Sequence, residues 1–170
     1  MGRRHLAREL ALKVLFELER DGGDAERSLQ YHVAESRADA EVADFARTLI
    51  QGVRDHQTEI DAQLKEASSN WGLDQMAKVD RTLLRIASFE ILYLPSVPLK
   101  AAINESIELA KTFGGPDSGK FVNGILGRIA ADERGEQFLR VVGVAFGPGH
   151  DVVQLDRVDT PRRRRHQVLG

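Results

Sequence analysis

Lys120 ends the run Gly114-Gly115-Pro116-Asp117-Ser118-Gly119-Lys120, which has the G-x4-G-K spacing of a phosphate-binding loop. The next residue of such a loop must be Ser or Thr, to hold magnesium, and here it is Phe121. Such a loop also follows a strand, whereas Ile103-Asn104-Glu105-Ser106-Ile107-Glu108 has helical spacing. The run is therefore expected to be a helix–helix turn. A carboxylate-bridged metal centre in a helical bundle needs Glu three residues before His. None of the five histidines has it, and His32/Glu35 and His56/Glu59 run in the opposite order. Glu105 and Glu108 lie one turn apart, but Lys111 follows Glu108 and suits an exposed charged face. There is no G-x-S-x-G nucleophile elbow. The absence of cysteine excludes a disulfide framework, a thiolate zinc site and a cysteine nucleophile. Nothing selects a reaction, and the chain is expected not to be an enzyme and to need no metal or cofactor.

The chemistry that remains is recognition. On a helical wheel of about 100° per residue, Leu6, Ala7, Leu10, Ala11, Val14, Leu15 and Leu18 fill one half of the first segment. Phe16 falls on the other side, with His5, Glu9, Leu12 and Lys13, and Arg3, Arg4 and Arg8 lie at or beside the helix start. An outward ring among cations is what a single-stranded RNA site uses: the ring stacks on an unpaired base and the cations hold phosphates. On wheel geometry alone the favoured reading is that Phe16 and Leu12 meet a second layer of helices. Arg162-Arg163-Arg164-Arg165 is a second basic cluster, of a kind often merely solvated.

These side chains need a scaffold, and 170 residues with 42 % apolar side chains are enough for one domain or two small helical subdomains. A net charge of −2, from 24 basic and 26 acidic groups, means that any nucleic-acid site is local. No apolar run approaches the ~18 residues of a membrane span, and Met1 to Leu10 do not form a secretory signal; a cytoplasmic setting is expected. Breaks fall at Gly22-Gly23, near Trp71-Gly72, from Pro95 to Pro98, at Gly114 to Pro116 and from Gly135. Helical spacing predicts six helices between them. The third is read as one long amphipathic helix carrying Val42, Phe45, Leu49, Val53, Ile60 and Leu64. The fourth is read from about Asp74, as N-cap, to Leu94, apolar enough around its circumference to be buried. The fold class is all-α, with a helical domain over 1–134 divided near residue 70. The segment 135–170 is read as an appendage, either unstructured or a hairpin across Gly147-Pro148-Gly149, and as dispensable for folding.

In order along the chain stand Arg3-Arg4-His5-Leu6-Ala7-Arg8-Glu9-Leu10-Ala11-Leu12, Leu49-Ile50-Gln51-Gly52-Val53, Asn70-Trp71, and Val79-Asp80-Arg81-Thr82-Leu83-Leu84-Arg85-Ile86-Ala87. Val97-Pro98, Ala102-Ile103-Asn104-Glu105-Ser106-Ile107-Glu108-Leu109-Ala110-Lys111, Asp117-Ser118 and Lys120-Phe121-Val122-Asn123-Gly124-Ile125-Leu126 follow. Over about residues 3–130 this series resembles the NusB family of transcription antitermination factors. The resemblance implies two packed three-helix subdomains, a heterodimer with NusE, a protein also found in the small ribosomal subunit, and binding of boxA leader RNA within an antitermination complex on RNA polymerase. It implies RNA contacts from the arginine-rich first helix, from Phe16, where many members carry Tyr, and from Phe121. It also places Asp80 near both RNA and NusE, and Asp117 where it influences NusE pairing. The expected RNA-binding set is Arg3, Arg4, His5, Arg8, Lys13, Phe16, Asp80, Lys120 and Phe121; the expected partner-binding set is Asp80, Arg81 and Asp117. His5 departs from the usual arginine cluster. The helical RNA-binding domain of ribosomal RNA cytosine methyltransferases is similar too, but its catalytic partner needs a cysteine that this chain lacks. A pure protein-interaction scaffold is the third reading.

Overall fold

Gly and Pro stop the helices near most of the expected places, and apolar stripes then pack them. A computed structural model describes residues 2–69 and 71–134. The hairpin and basic cluster considered for the C-terminal segment lie outside the described residues. Within them the order is α1 (Arg3–Asp21), α2 (Ala25–Ser36), α3 (Ala40–Asp55), α4 (Gln57–Ala67), a short 3-10 turn (Leu73–Gln75), α5 (Lys78–Tyr93), α6 (Leu99–Phe113) and α7 (Ser118–Arg134). No strand occurs among the described residues.

α5 is the central element. Leu83, Leu84, Ile86 and Ala87 are almost wholly buried, and the helix packs against α1, α3, α4, α6 and α7. The first three helices form one group around α1, and α4 to α7 form another around α5. The two groups meet where α1 and α3 pack on α5. Close approach at this seam depends on Gly52. A Cβ there would lie 2.0 Å from Cζ of Phe89, so only glycine lets the Phe89 ring rest on the α3 backbone.

Two expected elements need correction. The helix drawn from Val42 to Leu64 is two helices, broken at His56, whose φ of −112° and ψ of 15° leave the helical path. The seven-residue step from Val53 to Ile60 keeps the apolar pattern in phase across the break, and neither Gly nor Pro marks it. What fixes the bend is tertiary: the His56 ring stacks on Tyr93 at 4.0 Å between centroids. The second correction is the start of α5. Asp74 sits in the 3-10 turn rather than at an N-cap. Met76, extended at φ −75° and ψ 147°, buries its side chain, and the helix begins only at Lys78.

The first group of helices is capped conventionally. Asp24 accepts the Arg27 N–H at 2.8 Å and Asp39 accepts that of Val42 at 3.0 Å. Asp24 has no second task among the described side chains, so Asp24→Ala is expected to cost about 1 kcal/mol, the usual worth of an N-cap. Urea denaturation of both proteins reads this; a shift near zero would show that α2 does not depend on its cap.

Candidate nucleic-acid interface

The outer face of α1 is built from residues one turn apart. Glu9 and Lys13 pair at 2.9 Å, and Phe16 and Glu19 continue the line at i+3 spacing. Phe16 is half-buried and does not join the main core. Leu12, placed with it by the wheel, is instead buried in that core. For Leu12 this is the alternative left open by the wheel, contact with other helices.

At the α1 N-terminus the basic cluster divides. Arg3 is exposed and bonded to Glu41 at 2.5 Å and Asp39 at 3.0 Å. Arg4 is exposed, with its guanidinium carbon 3.8 Å from the centre of the Phe45 ring on α3. The His5 imidazole Nδ1 contacts the Glu105 carboxylate on α6. Arg8 differs from all of these. It is 3 % exposed and makes a forked contact with Glu90, itself 0 % exposed, at 2.7 and 2.9 Å. The expectation that Arg8 offers its charge to RNA is corrected here: its N–H groups point inward. Burial pushes the Glu90 carboxyl above the usual carboxylate range, and the bonds from Arg8 pull it back down.

Further along, the structure brings Lys13 and Phe113 together, with Nζ 5.8 Å from the ring centre, within cation–π range. Phe113 ends α6 and is partly exposed. The turn that follows is the loop with phosphate-binding spacing. It joins two helices, and its Ser118 hydroxyl accepts the Gly115 N–H at 2.9 Å. Asp117 and Lys120 are exposed beside it. Phe121, half-buried, meets the Trp71 ring edge to face at 5.5 Å.

Asp80 and Arg81 sit at the start of α5 and are more enclosed than a surface contact requires. Asp80 is buried, and its Oδ1 has no hydrogen-bond partner among the described residues. Arg81 donates to the Leu73 carbonyl at 3.0 Å and to the Glu19 carboxylate. Burial, then the neighbouring Arg85, push the Arg81 guanidinium down from its ordinary value. Arg81 thereby ties the 3-10 turn to the end of α1.

Three aromatic partners on this surface were not singled out from the sequence: Phe45 under Arg4, Phe113 beside Lys13, and Trp71 against Phe121. Phe45 was hidden within an apolar stripe. Trp71 and Phe113 each adjoin a glycine break, where an aromatic side chain has little helix of its own to pack against; that signal was available. Arg4 with Phe45, Lys13 with Phe113, and Phe121 with Trp71 thus bring together cations and partly exposed rings, the composition that single-stranded nucleic acid needs for phosphate pairing and base stacking. Among the described residues no group of His, Asp and Glu is arranged to hold a metal ion, and no helix is long and apolar enough to cross a membrane.

Comparison with known proteins gives the surface its family. The NusB family model matches residues 5–131. The transcription antitermination protein NusB of Myxococcus xanthus is 42 % identical over 134 residues, covering 76 % of this chain and 96 % of that protein. The NusB of Desulfitobacterium hafniense is 42 % identical over 143 residues, covering 80 % of this chain and 97 % of its own. Among solved structures, T. maritima NusB superimposes with a TM-score of 0.72 at 35 % identity, covering 82 % of this chain and 98 % of that one. A chain in the crystal structure of the antitermination factors NusB and NusE with double-stranded RNA superimposes with a TM-score of 0.71 at 26 % identity, covering 78 % and 98 %. With a helical fold, an ordered series of motifs and matched relatives along nearly their whole length, this chain belongs to the NusB family.

Proposed function

We propose that this chain is a non-catalytic transcription antitermination factor that pairs with NusE and binds single-stranded boxA-type leader RNA, within an antitermination complex on RNA polymerase in the cytoplasm. The observation that carries the reading is a set of partly exposed rings and cations, with Arg4 over Phe45, Lys13 beside Phe113 and Trp71 against Phe121, on a fold whose solved relative is held with NusE and RNA. Arg3, Arg4, His5, Lys13 and Lys120 meet phosphates, and Phe16 and Phe121 stack on bases. Asp80, Arg81 and Asp117 serve NusE. Of these Asp117 is exposed, while Asp80 is buried and acts from beneath the surface, through the position of the α5 N-terminus. Arg8 has a positioning role: by fixing α1 on α5 it orients the exposed residues to either side.

A body of net charge −2 with a local basic face is expected to bind RNA weakly alone and more tightly with NusE. Fluorescence anisotropy of a labelled boxA oligoribonucleotide, titrated with this chain, with NusE and with both, measures it. A duplex competitor tests the preference for single strands. Equal affinity for the chain alone and for the pair would count against a cooperative heterodimer, and binding by neither would leave a protein-interaction scaffold. The alternative as a methyltransferase module has no support from the relatives named above, all of which are NusB proteins.

A further inference from the structure

One cleft on this surface is built in a way the fold does not require. It lies between α7 and the segment after α4, has a volume of about 240 Å³, and is lined by Trp71, Lys120, Phe121, Gly124, Ile125 and Arg128 with Ser68. Five of these come from one stripe of α7, at spacings of one and four.

The opposite wall is held in place. Arg128 donates to the Ala67 carbonyl at 2.7 Å, closing the end of α4. The Ser68 hydroxyl donates to the carbonyls of Lys65 and Trp71, both at 3.1 Å, and the Trp71 N–H returns to the Ser68 carbonyl at 3.2 Å. Trp71 is nevertheless 46 % exposed. Its ring stands perpendicular to that of Phe121, and both rings line the cleft. Lys120 and Arg128 flank the opening, and neither is paired with a carboxylate among the described residues.

Gly124 is the second observation. It lies in the interior of α7, where glycine costs roughly 1 kcal/mol relative to alanine, and it is exposed. A Cβ there would meet nothing within 4 Å. Unlike Gly52, it is not demanded by any neighbour inside the protein. A glycine that no neighbour inside the protein demands, on the floor of a cleft walled by an indole, leaves room for something flat to approach the backbone. The volume is below the ~300 Å³ at which pockets for drug-sized ligands begin, so it suits one ring system and not a whole cofactor.

We infer that the Trp71–Gly124 cleft is a base-binding subsite: one unpaired nucleobase of the bound RNA lies against the Trp71 indole over Gly124, with its flanking phosphates at Lys120 and Arg128. The inference rests on the RNA-binding reading above and adds Trp71, Gly124 and Arg128 to it. Aromatic faces accept any base, so the subsite contributes affinity and register more than sequence discrimination.

Trp71 is the only tryptophan of the chain, so its emission reports the cleft directly. The full chain with NusE is titrated with the labelled boxA oligoribonucleotide while anisotropy and tryptophan emission are followed together; the Trp71→Phe chain supplies every signal that does not come from Trp71. Quenching of Trp71 with the same midpoint as the anisotropy change is expected. Trp71→Ala is expected to weaken RNA binding roughly 5- to 150-fold, the worth of one base–aromatic stack. Gly124→Leu fills the cleft without removing any contact. It is expected to weaken binding comparably while leaving the melting temperature unchanged or raised, which keeps the test independent of whether Trp71→Ala folds well. RNA bound with undisturbed Trp71 emission and undiminished affinity of Gly124→Leu overturns the subsite and leaves RNA binding intact. Emission that responds to NusE alone and not to RNA places a protein side chain in the cleft and overturns it too. Failure to bind RNA in any combination removes the underlying reading, and the subsite with it.

Discussion

Arg8→Ala is expected to destabilise the fold by about 3–5 kcal/mol, the cost of leaving a buried charge without its partner. Glu90 is inaccessible to solvent, and both of its oxygens accept from Arg8, at 2.7 to 3.1 Å. In the variant the Glu90 carboxylate loses the three hydrogen bonds that it accepts from Arg8. The pH dependence has a definite sign. Burial already raises the Glu90 carboxyl, and removing Arg8 takes away the largest opposing influence. A carboxyl whose folded value is raised binds its proton more tightly in the folded state than in the unfolded one, where it titrates near ~4.3. Its penalty is therefore least at low pH and grows as pH rises through the folded value, by at most ~1.4 kcal/mol per unit. The gap in melting temperature between parent and Arg8→Ala should thus narrow from pH 8 to pH 5. Replacing both partners by methionine, of similar length and without charge, should recover most of the loss. An Arg8→Ala protein that melts like the parent, binds RNA less well and shows a salt slope smaller by about one would return Arg8 to the phosphate backbone.

That reversal for Arg8 shows where sequence reading stopped. Periodicity located the helices because an apolar stripe has to face a core, and α5 carried enough apolar residues to be recognised as the central one. Periodicity does not say which polar residue on the same helix is buried. Arg8 sits one residue from Ala7 and two from Leu10, at the edge of the stripe, and its burial depends on Glu90, which is 82 positions away. The break at His56 was hidden for a related reason. The stack on Tyr93 that turns the chain involves a residue from another helix, and the local pattern ran on in phase. The ordered motifs did carry the family, and several of their residues make contacts between elements: Gly52 under Phe89, Arg8 with Glu90, Phe121 against Trp71. Of the exposed cations, Arg4, Lys13 and Lys120 stood out by type alone. Their aromatic companions Phe45, Phe113 and Trp71 came together only through tertiary packing.

Phe16→Ala separates the two roles that the helical wheel left open. A phenylalanine of the core costs ~3–5 kcal/mol when truncated. Phe16 is half-buried on the outer face of α1, one turn from Lys13, and does not pack into the main core. Its removal is therefore expected to cost the fold much less than that. If the ring stacks on a base, RNA affinity in the presence of NusE should fall by ~1–3 kcal/mol. The salt slope should stay the same, because no cation has been removed. Phe16→Tyr keeps the ring and should keep most of the affinity. Lys13→Ala is the complementary variant: its ammonium lies beside Phe113 and, among the described residues, is paired with Glu9 at 2.9 Å. Meeting one phosphate, it should lower both the affinity and the salt slope, the latter by about one. Melting curves and RNA titrations at two or more salt concentrations on these three proteins are sufficient. A Phe16→Ala chain that unfolds many degrees earlier, yet binds RNA as tightly as the parent while folded, would make Phe16 a packing residue and leave the recognition of bases to Phe121 and its neighbours.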